Sequence, residues 1–131
     1  MTTEELLENF SYLTDWEDKY RYLIELGEQM QPLPESERTD SHKVQGCQSQ
    51  VWIIYSISEG KYEFQATSDA VIVRGLEAVL LTFVNGKTAD KIRALNLPET
   101  FKKLGLEENL SPTRRNGFIA MIERIYTLIQ K

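Results

Sequence analysis

The chain has 131 residues, of which 41% are apolar and 27% charged. That is the balance of a soluble domain able to build a core without disulfide or metal staples. Its 20 acidic residues exceed its 15 basic ones, for a net charge of -5, which argues against a surface built to neutralise phosphate backbones, so no nucleic-acid partner is expected. The most apolar segment, Ala70 to Val84, is interrupted by Arg74 and Glu77. It is also shorter than the ~20 residues of a bilayer-spanning helix, so it reads as a core helix and no membrane partner is expected.

The N-terminal MTTEELLENF is acidic and amphipathic, unlike the basic-then-apolar order of a secretory signal, which leads to an expectation of a cytoplasmic protein. Thr2 and Glu5 fit a capping box, with Leu6, Leu7, Phe10 and Leu13 following at helical spacing. Thr14 and Glu17 repeat the box before a second stripe, Trp16, Tyr20, Leu23, Ile24 and Met30, that ends ahead of Pro32 and Pro34. Residues 31–45 lack periodicity and read as a long surface loop. Val51 to Ile57 and Lys61 to Ala66 have strand composition and pair across Ser58-Glu59-Gly60, with Val44 as a short third strand.

Ser68 or Asp69 then caps the most apolar helix, which carries Val71, Ile72, Leu76, Val79, Leu80 and Phe83 and ends at Asn85-Gly86. Thr88 caps a short helix reaching Leu95, and Pro98 opens another that stops near Gly105. Ser111-Pro112 starts the last helix, whose inward face is Phe118, Met121, Ile122, Ile125 and Leu128. The expectation is a single α+β domain over residues 1–131, a small antiparallel sheet of about three strands covered by helices.

The chemistry centres on KVQGCQSQVWI, residues 43–53, which holds the single cysteine, Cys47. An unpaired cysteine is commonly an inert core thiol. Here Gly46 precedes it and Gln48, Ser49 and Gln50 follow, the composition of a turn, which favours a reactive one. A dithiol oxidoreductase needs a second cysteine. A cysteine hydrolase needs a histidine base, and the one histidine is His42 in the same loop. A metal-binding or cluster-scaffold module would have to combine Cys47 and His42 with carboxylates such as Asp40 or Asp69. Attack of a lone thiolate on the sulfur of another molecule needs no further ligand or base in this chain.

Four segments resemble the SufE family of sulfur acceptors. They are Trp16 to Gly27, Gly46 to Trp52 (GCQSQVW), Ser68 to Gly75 and Leu110 to Arg114. The resemblance implies an α+β fold shared with the cluster-scaffold proteins of the NifU and IscU type. It implies that Cys47 takes sulfane sulfur from the persulfide of a cysteine desulfurase of the SufS or CsdA type, stimulating it, and passes the sulfur to a scaffold or other acceptor. The chain would then be an accessory protein and not itself an enzyme. Pyridoxal phosphate would reside on the desulfurase, leaving this chain without a cofactor or metal, as a monomer or homodimer. The cysteine loop would be sheltered at rest and open on docking.

Two further positions match the family pattern near the loop, Asp69 and Arg114. Asp69 is suited to holding the resting loop, although capping the following helix would also explain it. The match implies that Arg114 stabilises a thiolate or persulfide anion at Cys47; it stands where a capping box would place Glu, its charge opposing the helix dipole, which favours a functional role, although a solvated arginine would also explain it. Gly46 allows a sharp bend, and Gln48 and Gln50 satisfy peptide groups or meet the partner.

Overall fold

The computed structural model describes residues 1–130. Helices α1 (Thr3–Ser11) and α2 (Trp16–Gln29) form a hairpin, followed by the strands β1 (Val51–Ser58) and β2 (Lys61–Ser68) and the helix α3 (Val71–Val84). A two-residue strand β3 (Lys87–Thr88) then leads through α4 (Ala89–Ala94) and α5 (Leu97–Lys102) to α6 (Pro112–Leu128). The α+β expectation holds: the sheet is antiparallel in the order β1-β2-β3, covered by helices.

β1 and β2 pair along their whole length, with Val51 opposite Ser68 and Ser58 opposite Lys61. The turn between them places Glu59 and Gly60 at φ +53° and +78°, the left-handed pair that matches the twist of a two-residue hairpin. Val51 and Ile53 from β1, and Tyr62, Phe64 and Ala66 from β2, are buried. The alternation follows from the period of two along a strand with one face on the core.

The third strand is not at Val44. Lys43 makes only an isolated bridge to Trp52, while β3 pairs with β2 through Lys61–Thr88 and Tyr62–Lys87. β3 is short because the Asn85 side chain takes over the next rung: its Oδ1 accepts the Phe64 N–H at 2.7 Å and its Nδ2 donates to the Phe64 carbonyl at 3.2 Å. Nor is the long loop irregular throughout. It winds into 3₁₀ turns at Glu35–Glu37 and Asp40–His42, and it is anchored by buried Leu33, whose carbonyl accepts from Nε and Nη2 of Arg38.

Two helix starts differ from expectation. The Thr2–Glu5 box on α1 forms in both directions, but α2 starts from Asp15 with no side-chain cap bond, so the Thr14–Glu17 box is absent. The inward stripe of α2 is Leu23, Leu26 and Gly27, while Tyr20 is 40% exposed. The helix is rotated so that its small residue meets α3. A Cβ on Gly27 would stand 2.8 Å from the Gly75 nitrogen, and one on Gly75 would stand 2.3 Å from the Leu23 carbonyl oxygen. The two backbones touch there, and nothing larger than hydrogen fits. This contact sets the position of α3, which packs against α2 and against β2.

Candidate functional site

The loop holding Cys47 is closed at its base and nearly free at its tip. The Val44 N–H donates to the Val51 carbonyl at 2.8 Å. Next to it Asp69 binds Gln50 in both directions: the Gln50 N–H donates to Asp69 Oδ1 at 3.0 Å, and the Asp69 N–H donates to the Gln50 carbonyl at 3.3 Å. Asp69 is thus a clamp for the loop and not the cap of α3, which starts from Ala70 without a side-chain cap. Ser68 Oγ accepts the Ala70 N–H at 3.1 Å. Gly46 bends the tip with φ +89°, a region costly for a residue with a side chain. Among the described residues, the single hydrogen bond from residues 45–49 is that of Cys47 Sγ to the Gly117 carbonyl, at 3.6 Å.

Beneath the tip lies a cavity of about 210 Å³. The loop contributes Cys47, Gln48 and Ser49, α3 contributes Val73 and Leu76, and α6 contributes Arg114, Gly117, Phe118 and Met121. α6 is aimed at it by its first turn, where Ser111 Oγ accepts the Arg114 N–H at 3.2 Å and Pro112 supplies a pre-set φ. Gly117 keeps the sulfur's neighbourhood open, since a Cβ at that position would lie 3.8 Å from Sγ. Arg124, further along α6, donates from Nη2 to the Ser41 carbonyl at 2.9 Å and holds the preceding turn against the same helix.

The electrostatics run opposite to a permanently activated thiol. Cys47 is half-buried, and its pKa is raised, first by loss of hydration and then by the negative charge of Glu77. Arg114 lines the cavity but makes neither a hydrogen bond nor an ion pair with the sulfur. The expected lowering of the thiol pKa by Arg114 is therefore not found in the resting loop, where burial dominates. The sulfur at rest is a protonated, poorly nucleophilic thiol.

Glu77 was not singled out by motif, yet it belongs to the electrostatics of this site. It is 1% exposed, and neither carboxyl oxygen has a hydrogen-bond partner. Burial drives its pKa well above the ordinary carboxylate value, with Arg74 pulling the other way. The signal was present in VIVRGLEAVLLTFV: in a helix apolar on nearly every side, an acid has nowhere exposed to point.

Of the other candidates, Gln48 lines the cavity, whereas Gln50 contributes its backbone to the Asp69 clamp. His42 is engaged by Glu37: its Nδ1 lies 2.7 Å from the Glu37 carbonyl and 3.5 Å from Glu37 Oε2, and it makes no hydrogen bond to Cys47 among the described residues. Among the described residues no three His, Cys, Asp or Glu side chains gather closely enough to hold a metal ion, which removes the geometric basis for a site of Cys47, His42 and carboxylates. No helix among the described residues is long and apolar enough to cross a membrane.

The profile of SufE, an Fe-S metabolism associated domain, matches residues 4–129. An uncharacterized SufE-like protein of Rhizobium etli is 46% identical over 126 residues, covering 93% of this chain and 85% of the relative. The sulfur acceptor protein CsdE of Escherichia coli K12 is 44% identical over 126 residues, covering 95% of this chain and 86% of the relative. The solution structure of a hypothetical protein from Thermus thermophilus superimposes with a TM-score of 0.79 over 99% of this chain and 96% of that one, at 21% identity, and so shares the fold. With a profile that spans almost every described residue and relatives above two-fifths identity, the chain belongs to the SufE family.

Proposed function

We propose that this protein is a sulfur acceptor in iron–sulfur metabolism, that Cys47 is the accepting residue, and that its donor is the persulfide of a cysteine desulfurase. One observation carries the reading: the chain's one cysteine stands at the tip of a loop clamped only at its base, over a cavity next to its sulfur. The family match and the sulfur-acceptor relative support sulfur transfer as the chemistry of that thiol.

The transfer needs no external oxidant. The Cys47 thiolate attacks the terminal sulfur of the donor persulfide, the donor S–S bond breaks, and the donor cysteine leaves as a thiolate. The sulfane sulfur keeps its oxidation level, and Cys47 becomes a persulfide that can surrender that sulfur to a second thiol by the same step. At rest burial holds Cys47 protonated. Docking that draws the loop out would restore hydration and permit ionisation, so the thiol reacts with the partner and resists stray oxidants. Arg114, which lines the cavity, would offset the negative charge of the loaded or exposed sulfur.

Mass spectrometry after incubation with a cysteine desulfurase and cysteine tests this. One added sulfur atom on Cys47, removed by reductant and absent in Cys47→Ser, is expected. Unmodified Cys47 in the presence of a persulfide-loaded desulfurase would overturn the reading.

A further inference from the structure

Another cavity lies beside the far edge of β2, against the second half of α3. It encloses about 590 Å³, a size that takes a small ligand or a short stretch of peptide. Leu26, Met30, Phe64 and Leu81 supply apolar wall, and of the described residues that line it Glu63 alone has a charged side chain. Residues along a paired strand turn their N–H and carbonyl alternately to one edge and the other. On the edge of β2 away from β1, the Tyr62 carbonyl accepts from the Gly86 N–H at 2.8 Å, and both groups of Phe64 are met by the Asn85 carboxamide. The next rung on that edge is Ala66. Among the described residues neither its N–H nor its carbonyl has a partner there. Ala66 is 2% exposed and borders the cavity. A backbone donor and acceptor removed from bulk water and left unpaired are rare and costly.

We propose that this cavity is a docking site for an extended, basic peptide segment of a partner protein, which adds one rung to the sheet at Ala66 and sets a lysine or arginine against Glu63. Asn85 already shows the chemistry required, since at Phe64 one amide that donates and accepts side by side stands in for a strand. A residue of an extended peptide presents its own N–H and carbonyl on one edge in the same way, which is the means by which peptides add to open sheet edges. Glu63 makes no salt bridge among the described residues, so its charge is free for an incoming cation and selects a basic segment over an acidic one. The cavity shares no described lining residue with the one beneath Cys47. A partner held here therefore leaves the cysteine loop free to meet another molecule.

Nitrogen-15 NMR of the wild-type protein tests the site, with the Ala66 amide as reporter. The probes are acetylated, amidated pentapeptides Thr-X-Lys-X-Thr, with Val, Ile, Leu or Ser at X, and the same set with Glu in place of Lys. Saturable shifts at Glu63, Ala66 and Thr82 are expected with the lysine set, and the Ala66 amide should exchange with solvent about tenfold more slowly in the complex. Cys47 and Gly117 should stay in place. The glutamate set should bind about two- to fivefold more weakly, as should the lysine set to Glu63→Gln. No saturable shift at Ala66 with any lysine peptide up to about 10 mM, shifts centred on the Cys47 cavity, or unslowed exchange of Ala66 in the complex overturns the proposal. So does an Ala66 amide as protected as that of Phe64 in the free protein, which would mean that water or the chain itself fills the rung. Equal binding of the two peptide sets overturns the assignment of a basic segment. No step of sulfur chemistry enters these measurements, so they fail independently of the desulfurase assay.

Discussion

Glycine is used in opposite ways at two places in this molecule. Where α2 crosses α3, Gly27 and Gly75 remove side chains so that two backbones can touch, and the space is filled. At the Cys47 loop, Gly46 bends the chain and Gly117 leaves room beside the sulfur that nothing fills. The first arrangement transmits strain because close-packed backbone cannot yield. The second tolerates change and a moving loop. The lesson is that a rigid crossing holds α3, with Val73, Leu76 and Glu77 on it, as a fixed wall against which a loosely held loop can work.

The contrast is broken most severely at Gly75. An alanine there sets its Cβ against the Leu23 carbonyl, and a loss of about 3 kcal/mol or more is expected in urea denaturation. Gly27→Ala should cost less, about 2 kcal/mol, because the approach is longer. Stability within about 1 kcal/mol of wild type in both variants would mean the crossing is not tight.

Gly117→Ala sharpens the other half. Its Cβ makes only an ordinary contact with Sγ, so helix propensity should raise stability by about 0.5–1 kcal/mol. The same methyl takes space beside the sulfur, and slower loading of Cys47 by the desulfurase is expected in a mass-spectrometric time course. Asp69→Ala removes the acceptor for the Gln50 N–H, at a cost of about 1 kcal/mol. Its clearer effect should be faster alkylation of Cys47 at constant pH, as the loop spends more time open.

The smallest effect concerns pH and α3. Glu77 has a folded-state pKa raised above the ordinary 4.5, so as pH rises through that ordinary value the unfolded chain releases its proton while the folded one does not. The folded state then binds more protons, and the contribution of Glu77 to stability falls with pH until its own raised pKa is passed. Glu77→Gln lacks this slope. Its stability relative to wild type should increase as pH rises above the ordinary carboxylate value of 4.5, by urea midpoints; a constant difference would mean the carboxyl is hydrated in solution.

Much of the fold was legible because local rules and tertiary packing agree in it. The Thr2–Glu5 box, the Glu59-Gly60 turn and the Ser111-Pro112 start are decided within four residues, and they formed as read. The inward face of α6 follows from its period of apolar residues, all five of which are buried. Where equivalent local choices competed, the reading failed. Thr14 and Asp15 both suit a helix start, Val44 and Lys87 both suit an added strand, and Val71, placed in the core, is 44% exposed at the first turn of α3.

The candidate site divides the same way. Composition alone determined that Cys47 lies on a polar turn, because turn chemistry is a local property, and the resemblance to the SufE family implied that Asp69 and Arg114 belong near it. Only the tertiary structure decided that Asp69 clamps Gln50 and does not cap α3, that Gly117 leaves room beside the sulfur, and that the thiol at rest is protonated. Those depend on hydration and distance between segments up to 70 residues apart. A pKa is set by the surroundings that remain after folding, and no single stretch of chain contains them.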